Sequence, residues 1–148
     1  MNKVRSGGIT GWSATIWIGV MIVAATGCQQ LPTQERNRLE SEVMEIHDAV
    51  MPRTSDIQDL IAQLDTLIAH PATDSLQRAA MAGHRDALQA ADSLMWDWMY
   101  GYSPPSREAR PDSVRAYFAR EKEKIQLVSD TMLSSIDRAT RFLKTLDQ

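Results

Sequence analysis

Apolar residues recur at spacings of three and four along three long stretches of this chain, and this periodicity restricts the fold more than any other feature. In the first stretch the apolar positions are Leu39, Val43, Ile46, Val50, Ile57, Leu60, Leu64 and Leu67. Such spacing places the apolar side chains on one face of a helix that packs against other helices. No stretch shows the strict alternation of a half-buried strand. The sequence therefore predicts an all-α fold.

Proline-containing breaks divide the helical pattern into three segments. Pro52 interrupts the first, but its apolar spacing resumes in register because Val50 and Ile57 are seven residues apart. We therefore predict one helix kinked at Pro52. The alternative is a second helix that begins afresh, capped within Thr54-Ser55-Asp56. Thr73 or Asp74 is expected to cap the next segment, and Asp112 or Ser113 the last one. The predicted helices cover 34–69, 75–100 and 112–146.

The second and third helices each have a predicted core face. In the second helix it consists of Leu76, Ala80, Ala87, Ala91, Leu94 and Trp98. In the third it consists of Val114, Phe118, Ile125, Val128, Met132, Ile136, Ala139, Leu143 and Leu146. Only Glu121 interrupts the third face, where its long side chain is expected to reach the edge. Three long helices joined by chain reversals predict an antiparallel, coiled-coil-like, up-down-up bundle over 34–148. An extended, dimerising coiled coil is the alternative.

The N-terminal segment has the layout of a secretory signal. Lys3 and Arg5 precede an apolar run from Ala14 to Ala25, and small residues follow. The run is shorter than the roughly 20 apolar residues that span a bilayer. We therefore predict a cleaved signal peptide over 1–27. An uncleaved signal anchor from about Ile9 to Ala25 is the alternative.

The single cysteine of the chain, Cys28, follows this signal directly. In an exported protein it has no intramolecular disulfide partner. The stretch Ala25-Thr26-Gly27-Cys28 resembles the lipobox of bacterial lipoproteins, although Ala25 stands where leucine is commonest. The resemblance implies a lipid on Cys28 that attaches the protein to a membrane, with 28–33 as a lipidated tether. Gln29 in place of aspartate, by similarity to the sorting rule of enteric bacteria, favours the outer membrane, with the domain expected to face the periplasm.

Composition and motifs exclude several classes of function. Beyond the leader the chain has 14 basic and 19 acidic residues without basic clusters, which argues against a nucleic-acid partner. With no second cysteine, neither a disulfide nor a cysteine-based metal site can form. No nucleophile turn, glycine-rich phosphate loop or Glu-x-x-His motif occurs. We therefore predict neither an enzyme nor a cofactor.

Sulfur and aromatic residues cluster near one end of the predicted bundle. Met44, His47 and Met51 lie on one helix face, and antiparallel pairing places residues 94–100 between them and Tyr117-Phe118. Core packing, with His47 bonded to Asp97 or to a free carbonyl, is the main interpretation. The alternative is a copper or haem site, because thioethers and imidazole suit Cu(I). Its candidate ligands are His47, Met51, Met95 and Met99. His70 and His84 are expected at the surface.

Three segments, 42–52, 94–102 and 117–139, resemble a group of short bacterial lipoproteins of unknown function that often carry the label "viral A-type inclusion protein". The pattern Met-x-x-His-Asp-x-x-Met-Pro of that group is matched from Met44 to Pro52, and its Trp-Met-His element reads Trp-Met-Tyr here, ending at Tyr100. The resemblance brings no activity with it. We expect a membrane-anchored helical lipoprotein with an interaction, structural or envelope-stress role and an unknown envelope partner.

Overall fold

The computed structural model describes residues 30–146, in which every regular element is a helix. The predicted all-α class is confirmed. The signal peptide predicted over 1–27 and the predicted lipid site Cys28 lie outside the described residues. The four α-helices, with a 3₁₀ turn at Met51–Arg53 between the first two, are α1 (Thr33–Val50), α2 (Thr54–Ala69), α3 (Ser75–Gly101) and α4 (Pro111–Leu146).

The chain remains helical as it passes through Pro52. Val50, with φ −100° and ψ −27°, and Thr54, with φ −60° and ψ −33°, both keep right-handed helical backbone. The hydroxyl of Thr54 donates backward to the Met51 carbonyl, and that of Ser55 to the Pro52 carbonyl. Neither side chain caps α2. The proline has no N–H for the α-helical bond, and the chain accommodates it with one tighter 3₁₀ turn.

The other two helix starts use different devices. Asp74 caps α3, because one of its carboxylate oxygens accepts the backbone N–H groups of Leu76 and Gln77, each at 2.9 Å. α4 begins at Pro111, so Asp112 and Ser113 lie inside its first turn and the expectation that either caps it is wrong. Proline suits the first helical position because the N–H it lacks would have no acceptor there.

Side-chain pairs between helices reveal the directions of the helices. Glu35 accepts from Arg115 at 2.8 Å, and seven residues later Glu42 accepts from Lys122 at 2.9 Å. Both pairs are 80 residues apart, so α1 and α4 run in the same direction. Between α2 and α3 the order reverses. Gln58 contacts Asp92 at 3.2 Å and Asp65 contacts Arg85 at 3.4 Å, so α2 and α3 run in opposite directions. These directions are those expected of an up-down-up bundle.

The buried residues of the first and last helices follow the predicted spacing, except that Leu67 at the end of α2 is exposed. The buried face of α3 is rotated by about one residue from the predicted one. Leu76, expected in the core, is 80% exposed, and Leu94 is also exposed. The buried positions of α3 are Met81, Leu88, Ala91, Met95 and Trp98. Ala91 and Trp98 of the predicted face are buried as expected, whereas Leu76, Ala80 and Leu94 are exposed. The prediction was wrong at these three positions because small alanines repeat along α3 at a spacing similar to that of its larger apolar residues. The larger side chains one position along fill the space between the helices.

The end of the bundle at which α1 begins is tightly closed. Leu31 is only 8% exposed and packs into the core, so part of the predicted tether 28–33 belongs to the folded domain. The Arg36 guanidinium donates to the carbonyls of Pro105 and Ser106, and it lies 5.8 Å from the Phe118 ring centroid. Arg36 therefore fastens the loop 102–110 onto α1.

Candidate functional site

A buried carboxylate is the most unusual polar group of the core. Glu121 is 4% exposed, so the expectation that it reaches the edge of the bundle is wrong. One carboxylate oxygen accepts the indole N–H of the buried Trp98 at 3.1 Å, and the other accepts from Lys124 at 2.8 Å. A buried carboxylate without donors would be strongly unfavourable. The indole and the ammonium together make this position tolerable.

Aromatic rings continue from this pair toward the closed end. Trp98 lies 5.1 Å from the Tyr102 ring, which lies 6.1 Å from Tyr117, and Tyr117 meets Phe118 edge to face at 5.4 Å. The Tyr117 hydroxyl accepts the Ser103 backbone N–H at 2.8 Å. Residues 94–100 were predicted to face Tyr117 and Phe118. In the structure Trp98 contacts Tyr102, and Tyr102 in turn contacts Tyr117.

The histidines occupy three different environments. His47 lies 5.5 Å from the Trp98 ring, and its Nδ1 is 2.8 Å from an Asp48 carboxylate oxygen. The expectation that it bonds to Asp97 is wrong. His84 is half-buried, less exposed than expected, and stacks on Phe142 with ring centroids 4.5 Å apart. His70 is exposed in the turn, where its ring accepts the Ala72 N–H.

The sulfur atoms proposed for a soft-metal site belong to side chains that pack in or against the core. Met95 is fully buried, and Met51 and Met99 are partly buried against core residues. Within residues 30–146, no group of three or more His, Cys, Asp or Glu side chains is placed to hold a metal ion.

A Cu(I) competition assay tests the metal interpretation. We expect the purified wild-type protein and His47→Ala to show equal and negligible uptake from a Cu(I) chelator, because core packing already occupies the candidate ligands. Tight binding that is lost in His47→Ala and kept in His84→Ala would contradict this expectation and support a copper site.

The Tyr102 hydroxyl is buried and makes no hydrogen bond. Burial, followed by the negative charge of Glu40, raises the pKa of Tyr102 to about 12. Burial also raises the pKa of Tyr117, partly offset by the Ser103 N–H. Folding therefore favours the neutral phenol at both positions.

This elevated pKa predicts a loss of stability at alkaline pH. Tyr102 in the unfolded chain ionises near pH 10 and in the folded chain near 12. Its contribution is complete below pH 10 and is lost as the pH rises through about 12. We expect urea unfolding to show a steeper decline above pH 10 for the wild type than for Tyr102→Phe. Superimposable stability profiles for the two proteins would contradict the prediction.

A shallow groove between α3 and α4 lies directly over the Trp98 and Glu121 pair. Leu94 of α3 and Leu127 of α4 are both exposed along it, and Leu127 is 67% exposed. We call this surface the α3–α4 groove. Its lining residues are Leu94, Asp97, Trp98, Gly101, Glu121, Lys124, Leu127 and Val128. The apolar spacing did not predict this groove, although Leu127, an apolar residue outside the core spacing of α4, was a visible signal.

Comparison with known proteins found no matching family model, no matching curated protein and no matching solved structure. The resemblance to short lipoproteins stays a prediction based on the segments quoted above. None of the helices within residues 30–146 is long and apolar enough to cross a membrane.

Proposed function

We propose that this protein is a lipid-anchored component of the cell envelope that acts by binding another envelope protein. The observation that carries the proposal is the α3–α4 groove, where Leu94 and Leu127 expose apolar surface on facing helices. Single exposed leucines are ordinary on protein surfaces, whereas apolar side chains gathered along a groove are typical of contact sites.

The chemistry of the groove suits an apolar side chain presented by a helical segment of the partner. Leucines form its walls, and its lining carries the negative charges of Asp97 and Glu121 and the positive charge of Lys124. The floor is held in place by the hydrogen bond from Trp98 to Glu121. A prearranged apolar pocket with polar groups around it resembles the centre of many protein interfaces.

The location is proposed from the N-terminus. The signal layout and the lipobox-like stretch ending at Cys28 support export and lipid attachment, and Gln29 supports the outer membrane facing the periplasm. The proposal assigns no reaction to the protein, because the sequence has no motif for one. Copper or haem binding is the weaker alternative.

Photo-crosslinking in native envelopes tests the proposed interaction. The probe replaces Leu127, and the matched control replaces Leu133, another exposed leucine of α4 that does not line the groove. Tyr102, which lies close to this groove in the chain, is unsuitable as a probe position because its hydroxyl is buried.

We expect one reproducible partner from position 127, none from position 133, and loss of the adduct when Leu94→Lys is added. Correctly lipidated protein that forms no adduct from position 127, or forms the same adducts from both positions, would overturn the proposed interaction.

A further inference from the structure

The burial of Leu31 leaves very little chain between the bundle and the proposed lipid site. Leu31 packs into the core two residues before α1 begins. Only Gln29 and Gln30 lie between it and Cys28, which makes three Cα–Cα steps of at most about 3.5 Å each in an extended chain. Cys28 therefore lies within about 10 Å of Leu31. A lipid on Cys28 would hold this end of the bundle against the bilayer surface.

The held end includes the last turns of α3. Tyr102, directly after α3, contacts Tyr117 in the second turn of α4, while Glu35 in the first turn of α1 binds Arg115 nearby. Arg36 also donates to the loop that follows α3, so contacts join α1, this loop and α4 at this end. Any surface of the last turns of α3 is therefore kept near the bilayer.

The outward side of α3 carries an uncharged stripe whose two exposed aromatic rings lie in these last turns. We call Gln89, Ser93, Trp96 and Tyr100 the α3 stripe; their spacing of four, three and four places them on one side of the helix. Tyr100 is 85% exposed and Trp96 is 41% exposed, with their ring centroids 6.4 Å apart. The outer side of α4 at the same level carries charges instead, among them Arg120 and Glu123.

We propose that the α3 stripe rests in the headgroup region of the membrane that anchors the protein. Tryptophan and tyrosine favour this region because each has an apolar ring and a polar group that stays hydrated. The proposal rests on the proposed lipid anchor at Cys28. The bilayer is the favoured occupant because the short chain keeps the stripe near it. The absence of charge in the stripe predicts contact with zwitterionic lipid as well as anionic lipid.

This orientation leaves the α3–α4 groove open to a protein partner. Leu94 precedes Trp96 by two residues, which corresponds to about 200° around a helix. The groove and the stripe therefore lie on different sides of α3. In this orientation the α3 stripe faces the bilayer. Leu94 of α3 and Leu127 of α4 face away from the bilayer and stay accessible to a partner.

Tryptophan fluorescence tests the proposal, because the predicted mature chain contains only Trp96 and Trp98. The lipidated mature protein, beginning at Cys28, is reconstituted into phosphatidylcholine vesicles with brominated acyl chains, and vesicles without bromine serve as the reference. We expect the wild type to be quenched by about half or more, and Trp96→Phe, which keeps only the buried Trp98, to be quenched little. This comparison leaves the core unchanged.

Flotation of the same vesicles separates failure of the anchor from failure of the orientation. Protein that stays at the bottom of the gradient would overturn the anchor and the proposal together. Protein that floats without bromine quenching of Trp96 would overturn the proposal and leave the anchor standing. A photo-crosslink from position 100 to an envelope protein, in place of lipid quenching, would show that the stripe contacts a protein. This result would also overturn the proposal.

Discussion

Cys28→Ser is expected to move essentially all of the protein from the membrane fraction to the soluble fraction of the envelope. Several acyl chains on one residue, at about 0.8 kcal/mol per buried CH₂, anchor a protein far more firmly than its surface side chains can. The α3 stripe, with its two aromatic rings, would not hold the bundle at the membrane alone. The measurement is fractionation after a high-salt wash, together with the mass of the N-terminal peptide.

Gln30→Ser is the matched control, because it changes a neighbouring residue and leaves the lipid site intact. It is expected to remain in the membrane fraction with the lipid-modified mass. A Cys28→Ser protein that stays in the membrane after the salt wash would refute lipid anchoring. If that protein also retained its full N-terminal mass, the alternative of an uncleaved signal anchor over about Ile9 to Ala25 would replace it.

Trp98→Ala is expected to lower the free energy of unfolding by about 3–5 kcal/mol, the usual cost of removing a buried aromatic ring. The substitution also removes the indole donor of the buried Glu121 carboxylate and the ring contacts with His47 and Tyr102. Natural domains are stable by only about 5–15 kcal/mol, so this loss is a large part of the total. Urea unfolding followed by far-ultraviolet circular dichroism measures it.

Trp96→Ala provides the control, since Trp96 is the same residue type on the same helix with its ring facing outward. Its stability is expected to change by no more than about 1 kcal/mol. Glu121→Gln keeps an acceptor for the indole and is expected to cost less than Trp98→Ala. Equal losses for the two tryptophan variants would show that the pairing of Trp98 with Glu121 contributes little to the fold.

The α4 face was predictable because its apolar residues are large and appear at only one spacing. Val114, Phe118, Ile125 and Met132 are all buried as predicted. α3 offered two candidate faces, one through Ala80, Ala87 and Leu94 and one through Met81, Leu88 and Met95. The choice between them depends on the volume that α2 and α4 leave open, which a local pattern does not contain.

The candidate site was only partly visible from the sequence. The apolar spacing and the antiparallel pairing predicted that His47, Trp98 and Tyr117 lie at one end of the bundle. The ring contacts of Trp98 with His47 and Tyr102, and of Tyr102 with Tyr117, agree with this prediction. Glu121 stood out as the one charge on the α4 face, yet its donor Trp98 lies on another helix. The pairing of Glu121 with Trp98, and the groove above it, could therefore not be read from residues near Glu121.

The sequence by itself determined the helical class, the break in the helical pattern at Pro52 and the helix starts near Asp74 and Pro111, because these depend on backbone chemistry within a few residues. Only the tertiary structure decided which side of α3 is buried, that Leu31 joins the core, and that Trp98 satisfies Glu121. Each of these depends on the rotation and level at which one helix meets another. Side-chain volumes and hydrogen-bond partners from distant parts of the chain determine that arrangement together.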